Sequence, residues 1–107
     1  MTYEGWSNYQ TWNYSLWLNN EEPSYRMLQE MKGAALKTSD PIYALAEALK
    51  DLIQEAQPEV KGVYSDLLQH SIDSIDYREI AESELREDLA ESEAEAEEEE
   101  EEEEDDD

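Results

Sequence analysis

Apolar residues recur at spacings of three and four along most of the first 90 positions, which is the period of one face of an α-helix. The clearest stretch follows Asp40 and Pro41, a capping acid and a first-turn proline. Sustained alternation of apolar and polar residues is absent, as are Asn-Gly and Asp-Gly hairpin turns. The pattern therefore predicts an all-α chain. Its clearest stripe consists of Ile42, Leu45, Ala46, Leu49, Leu52, Ile53 and Ala56.

Two helices are predicted before this stretch. Ser7 and Gln10 fit a capping box, which predicts a first helix over about residues 8–18. Its expected apolar face carries Tyr9, Trp12 and Leu16. The second helix opens at residues 21–23, where two acids and a proline suit a first turn. Its expected inward residues are Met27, Leu28, Met31 and Ala35.

Two more helices are predicted after it. Pro58 ends the third helix or starts the fourth, which reaches about Ser74. Asp76 and Glu79 fit a second capping box at the start of a fifth helix, with Ile75 packing on Ile80. The fourth helix carries Val60, Val63, Tyr64, Leu67, Leu68 and Ile72, and the fifth directs Tyr77, Ala81, Leu85 and Leu89 inward.

The C-terminal segment differs sharply from the rest of the chain. Residues 91–107 hold fourteen carboxylates and no Lys or Arg, and like charges at helical spacing oppose a helix. Residues 91–96 alternate acidic and small residues, which allows the fifth helix one or two further turns. We expect residues 1–90 to form one compact bundle of four to five short helices, and residues 91–107 to form a disordered polyacidic tail.

The formal net charge of −24 restricts the class of partner. The charge predicts attraction to a basic protein and repulsion from nucleic acid and from anionic lipid. The chain has no cysteine, no secretory signal and no apolar run long enough to cross a membrane. We therefore expect a cytoplasmic protein with no membrane contact and no direct binding to nucleic acid.

Acidic residues in two places are candidates for contact with a basic partner. An extended tail would place its carboxylates at about the 3.4 Å spacing of phosphates along one nucleic-acid strand. Acids around the fifth helix would add a rigid negative surface. The alternative is an ordinary solvated helix face with a solubilising tail. The candidates are Asp76, Glu79, Glu82, Glu84, Glu87 and Asp88 on the helix, and Glu97, Glu98, Glu99 and Glu100 in the tail.

Six of the ten aromatic residues fall within the first seventeen positions. We expect them to form the main core of a small domain that lacks Phe. The alternative is an exposed interaction surface, because large aromatic side chains are strong interface anchors. The candidate anchors are Trp6, Trp12, Tyr14 and Trp17, and the partner would be a specific protein or a second copy of the chain.

The same N-terminal stretch carries a resemblance to a known family. Residues 5–13 read GWSNYQTWN, and residues 16–18 read LWL before Asn20. This string resembles the opening signature of a small uncharacterised family found mainly in phages, plasmids and other mobile elements. Residues 75–81, IDYREIA, resemble its closing motif. The resemblance implies a mobile-element context, where small acidic proteins often inhibit host defence nucleases by imitating DNA.

No residue constellation indicates catalysis. His70 is the only histidine, and without cysteine it has no partners for a zinc site. Glycines are isolated, so no phosphate-binding loop is present. We expect no enzymatic activity, no metal and no cofactor. The sequence predicts a nucleic-acid-mimicking inhibitor or decoy that occupies a basic surface of a host protein, and alternatively a module that docks through its aromatic N-terminal helix.

Overall fold

The computed structural model describes residues 2–105, with side chains for residues 2–91, and confirms the predicted all-α fold class. Tyr3 and Trp6 form an isolated β-bridge ahead of the first helix, and residues 2–105 contain no longer strand. The helices are α1 (Tyr9–Asn20), α2 (Glu22–Ala35), α3 (Pro41–Glu55), α4 (Val63–Ser74) and α5 (Tyr77–Asp105).

A single core joins α1, α2, α3 and α5, and the contact between α3 and α5 is the most extensive. The helix α3 supplies Leu45 and Leu49, both completely buried, as the stripe after Pro41 predicts. The Asp40 carboxylate accepts the Tyr43 N–H at 3.2 Å, which confirms the predicted cap. The buried cluster consists of Leu18, Leu28, Ala35, Leu45, Leu49, Ile75, Ile80, Ala81 and Leu85.

The helix α1 buries a different face from the one predicted. Its buried residues are Thr11, Ser15 and Leu18, whereas Tyr9 and Leu16 are exposed. The prediction of a mainly aromatic core is therefore wrong. Thr11 is buried because its hydroxyl accepts the Asp76 N–H, a bond that an apolar side chain cannot form.

Some predicted boundaries and inward residues also shift. The N-cap of α1 is Asn8, not Ser7, because the Asn8 side chain accepts the Thr11 N–H. In α2, Leu28 and Ala35 are buried, but Met27 is 43% exposed, contrary to prediction. Ala56 is exposed because it is the C-cap of α3, where the helix leaves the core.

The helix α4 begins after Gly62 rather than near Pro58. Gly62 has a φ of 66° and a ψ of −139°, a conformation that residues with a Cβ rarely adopt. Only Ile72 of this helix is buried. The predicted inward residues Val63, Tyr64 and Leu67 are 61–71% exposed, because α1 is the neighbour that α4 mainly contacts.

The helix α5 continues much further than one or two turns beyond the body, reaching Asp105. Ile80, Ala81 and Leu85 are buried, and Leu89 packs at the edge of the core, as predicted. The side chains of residues 92–107 lie outside the described residues, as does the backbone of residues 106 and 107. The predicted disorder of residues 91–107 and the boundary at residue 90 stay predictions.

Candidate interaction surface

A network of hydrogen bonds joins the start of α1 to the start of α5. The Asn8 amide donates to the Ser74 carbonyl oxygen at 2.7 Å. The Asp76 N–H donates to Thr11 Oγ1 at 2.8 Å, and that hydroxyl donates to Asn8 Oδ1 at 2.7 Å. The Ser7 N–H donates to Glu79 Oε1 at 3.0 Å. The two sequence motifs at 5–13 and 75–81 therefore meet in space.

This network changes the predicted capping box of α5. The Asp76 carboxylate accepts the Glu79 N–H at 3.0 Å, as a helix cap should. The reciprocal bond from the Asp76 N–H goes to Thr11, and the Glu79 carboxylate goes to Ser7. In a capping box, the Asp76 N–H would donate to the Glu79 carboxylate. Here Thr11 and Ser7 take those two positions, so the hydrogen bonds connect the starts of α1 and α5.

An apolar groove with a volume of about 480 Å³ lies between α1 and α4. Its wall on α1 runs from Tyr9 to Glu21, a length of about 18 Å at 1.5 Å per residue. Its opposite wall belongs to α4. Glu21 is the only charged residue among the described side chains that line the groove. The apolar lining away from α1 comes from Ile53, Leu68, Ile72 and Ile75.

The apolar face of α4 extends beyond this groove. At 100° per residue, Val63 and Leu67 lie on the same side as each other, and Ile72 lies on the opposite edge of the apolar arc. Tyr64 and Leu68 fall between these edges. Val63, Tyr64 and Leu67 are 64%, 71% and 61% exposed. About half of the apolar arc is therefore uncovered in the single chain.

The four aromatic candidates do not share one surface. Trp17 is 58% exposed and lines the groove, together with the half-buried Tyr14. Trp12 packs in a separate cluster against Tyr3, with the ring centroids 4.9 Å apart and the ring planes inclined at 57°. Trp6 is half-buried against the core. Sequence reasoning found Trp17 but missed the groove, because its α3 and α4 residues are brought to α1 only by the fold.

Most of the candidate acids on α5 have partners within the protein. Asp76 caps the helix, and Glu79 accepts the Ser7 N–H. Glu82 forms an ion pair with Arg78 at 2.9 Å. Glu84 and Asp88 both lie 3.8 Å from the ammonium group of the largely buried Lys32. These five carboxylates therefore have contacts within the protein. The binding role of all ten acidic candidates, including Glu87, Glu97, Glu98, Glu99 and Glu100, stays a prediction.

Two tyrosine hydroxyls are held inside the bundle. The Tyr14 hydroxyl donates to the Leu49 carbonyl oxygen, and the Tyr77 hydroxyl donates to the Ile72 carbonyl oxygen, both at 2.7 Å. Burial, followed by the charge of Tyr77, raises the pKa of Tyr14. Burial, followed by the charge of Asp73, raises the pKa of Tyr77 to about 12. Both hydroxyls therefore act as neutral donors at physiological pH.

Few features of the described residues suggest other chemistry. His70 is exposed, and its backbone carbonyl accepts the Ser74 hydroxyl. Among the described residues, no group of three or more His, Cys, Asp or Glu side chains is placed to hold a metal ion. Within that same part of the chain, every helix is too short or too polar to cross a membrane.

The structure defines a small, strongly acidic helical protein with an apolar groove on one side. Residues 1–99 match DUF7249, a family of unknown function, and the chain belongs to this family. The match includes both sequence motifs and the first nine residues of the acidic segment 91–107. No curated protein and no solved structure matches the chain.

Proposed function

We propose that this protein is a non-enzymatic binding protein that occupies a basic, nucleic-acid-binding surface of a partner protein. The observation that carries the proposal is the run of fourteen carboxylates, without Lys or Arg, in residues 91–107, into which α5 continues. Residues 97–105 are all acidic, and a helix places successive residues about 1.5 Å apart along its axis. Duplex DNA carries one negative charge per roughly 1.7 Å. A helical acidic segment thus has the axial charge density of a duplex.

The charge of the whole chain supports the same proposal. The chain has seven basic residues and thirty-one acidic ones. Among the side chains of residues 2–91, three of the basic residues form ion pairs, namely Arg26, Lys32 and Arg78. Such a molecule attracts cationic surfaces over long range and speeds the encounter with them. In its most specific form, the proposal places the protein in a mobile element, with a host defence protein as its partner.

The proposal is tested by neutralising the acidic segment in the full-length chain. The variant replaces the fourteen carboxylates of residues 91–107 with Gln or Asn. The wild type and the variant are each immobilised and exposed to host lysate at low salt, and the proteins that they bind are identified by mass spectrometry. The wild type should retain nucleic-acid-binding proteins that the variant does not retain, and duplex DNA should release them. High salt should also release them, because screening weakens charge attraction.

Two outcomes would contradict the proposal. One is capture of the same proteins by the wild type and the neutral variant, which would show that the acidic segment is not the binding element. The other is retention of the captured proteins in the presence of excess duplex DNA, because a protein that imitates DNA must compete with DNA for the same surface of the partner.

A second candidate function is docking through the aromatic helix α1. The specific observation in its favour is that Trp17 is 58% exposed at the wall of an apolar groove. Trp17→Ala changes the exposed side chain at the groove, whereas Trp6→Ala changes a residue that precedes α1 and is half-buried against the core. Under this alternative, partner capture falls with Trp17→Ala and persists in the neutral variant of residues 91–107, provided that circular dichroism shows an intact fold.

A further inference from the structure

The groove between α1 and α4 is long enough to contact a short helix. Its α1 wall runs about 18 Å from Tyr9 to Glu21, which equals about three turns of α-helix. Apolar side chains form much of its surface, and the uncovered residues Val63 and Leu67 extend the apolar surface along α4. Amphipathic helices bind such grooves through apolar residues repeated every three or four positions.

The charges select among possible helices. None of the seven basic residues lines the groove, and Glu21 contributes a carboxylate at one end. A second copy of the chain would bring another net charge of −24 to the interface, which opposes self-association. A helix with Lys or Arg on its polar face would instead be attracted by the same field. The apolar groove and the negative charge of the chain therefore both favour an amphipathic helix with basic residues on its polar face.

We propose that the α1–α4 groove binds a basic amphipathic helix of the partner protein, seated along Trp17 and Leu68. This inference rests on the proposed function, since it assigns a specific docking site on the same basic partner. The groove would supply the apolar contacts that set the orientation of the helix. The acidic surface would supply long-range attraction, which carries little orientation of its own.

The test uses a model peptide of about 18 residues, with Leu at helical spacings of three and four and with Lys at its polar positions. A scrambled peptide of the same composition is the control for charge. Affinities for the full-length protein are measured by calorimetry, and the site is mapped from amide shifts in NMR spectra. The patterned peptide should bind about tenfold more tightly than the scrambled one, with shifts concentrated in α1 and α4.

The decisive variant is Trp17→Glu, which removes apolar surface and adds a negative charge. Binding by charge alone predicts equal or tighter binding to the Lys peptide, whereas binding in the groove predicts a loss of about tenfold. Tyr43→Glu is the matched control, because Tyr43 is 59% exposed on α3 and does not line the groove. This control should bind the peptide at least as tightly as the wild type.

A second variant, Leu68→Glu, covers the case in which Trp17→Glu does not fold. Leu68 lines the groove and lies outside the core cluster, so the substitution removes little core packing, and it should also weaken binding of the patterned peptide. Equal binding of the patterned and scrambled peptides would overturn the groove proposal. So would undiminished binding by the folded variants, or a wild-type dimer in sedimentation experiments that Trp17→Glu converts to a monomer.

The failures of the two proposals are distinguishable. If the groove proposal alone fails, the neutral variant of residues 91–107 still loses its nucleic-acid-binding proteins, while Trp17→Glu binds the Lys peptide as the wild type does. If the proposed function alone fails, duplex DNA releases no captured protein, while the patterned peptide still discriminates between Trp17→Glu and Tyr43→Glu.

Discussion

Thr11 is completely buried, and its hydroxyl connects α1 to the first residues of α5. Thr11→Val keeps the branched shape but removes the acceptor of the Asp76 N–H and the donor to Asn8. We expect a loss of about 1–3 kcal/mol in the free energy of unfolding, because buried polar groups lose their partner. Urea unfolding followed by circular dichroism measures this loss.

The exposed Thr2 provides the matched control for this substitution. Thr2→Val should change the free energy of unfolding by less than about 0.5 kcal/mol. If Thr11→Val is as mild as Thr2→Val, the hydrogen-bond network does not stabilise the junction of the two helices.

Alkaline pH should destabilise the fold through Tyr14 and Tyr77. Burial raises the pKa of both hydroxyls, whereas tyrosines in the unfolded chain titrate near pH 10. The folded state therefore holds these protons more tightly, and their contribution to stability is complete below pH ~10. That contribution is lost as the pH rises from about 10 through about 12, the pKa of Tyr77. Urea midpoints at a series of pH values should fall across this range.

Tyr14→Phe identifies the source of this pH dependence. It removes the hydrogen bond to Leu49, so stability near neutral pH should fall by about 0.5–1.5 kcal/mol. The further loss at alkaline pH should be smaller than in the wild type. Tyr43→Phe, at a residue that is 59% exposed, should leave the pH profile unchanged. An identical alkaline loss in Tyr14→Phe and the wild type would exclude Tyr14 as a cause.

At the scale of helices, sequence periodicity predicts α3 well because one apolar stripe faces one core. It fails for α1, where Thr11 and Ser15 are buried and larger aromatic residues are exposed. The reason is that burial of Thr11 depends on a hydrogen bond from the Asp76 N–H, 65 residues further along the chain. The local sequence around α1 contains no sign of that bond. It fails also for α4, because an apolar arc shows which residues favour burial but not whether a neighbour covers them.

Substitution of two glycines by Ala should change the stability of the protein in opposite directions. Gly33 lies inside α2 with open space around its missing Cβ, so Gly33→Ala should stabilise the protein by about 0.5–1 kcal/mol. Gly62 precedes α4 with a φ of 66°, so Gly62→Ala should destabilise it by about 1–3 kcal/mol. Thermal unfolding of the two variants measures both effects. Stabilisation by Gly62→Ala would contradict the left-handed conformation at the start of α4.

The groove and the acidic segment also differ in how far the sequence predicts them. Counting carboxylates was sufficient to place the negative charge and to predict the sign of a partner. The groove needs Ile53 and Ile72 to meet α1, so it depends on how three helices pack. The sequence also does not predict the partners of the acids on α5. Lys32, for example, lies on α2 and approaches Glu84 only in the folded protein.

For the whole molecule, the helical content of α5 should depend on the charge of residues 91–107. Repulsion between carboxylates three and four positions apart opposes the helix, and protonation removes it. Acidification from about pH 7 to about pH 4 should therefore increase the helical signal in far-ultraviolet circular dichroism. The variant with neutral residues 91–107 should lack this increase. Any change in its helical signal on acidification comes from residues 1–90, so it is the control for the folded body. The same increase in both proteins would contradict the prediction.

The Ser7 N–H donates to Glu79 across 72 residues of chain, and the Asp76 N–H donates to Thr11 across 65 residues. On a translating ribosome, the opening helix therefore emerges long before the residues that complete its junction. At roughly 5–20 residues per second, this interval lasts on the order of 3–13 s. Assembly of the body must wait until nearly all of it has been synthesised, and a nascent chain interrupted before Asp76 has its aromatic residues exposed to chaperones and proteases.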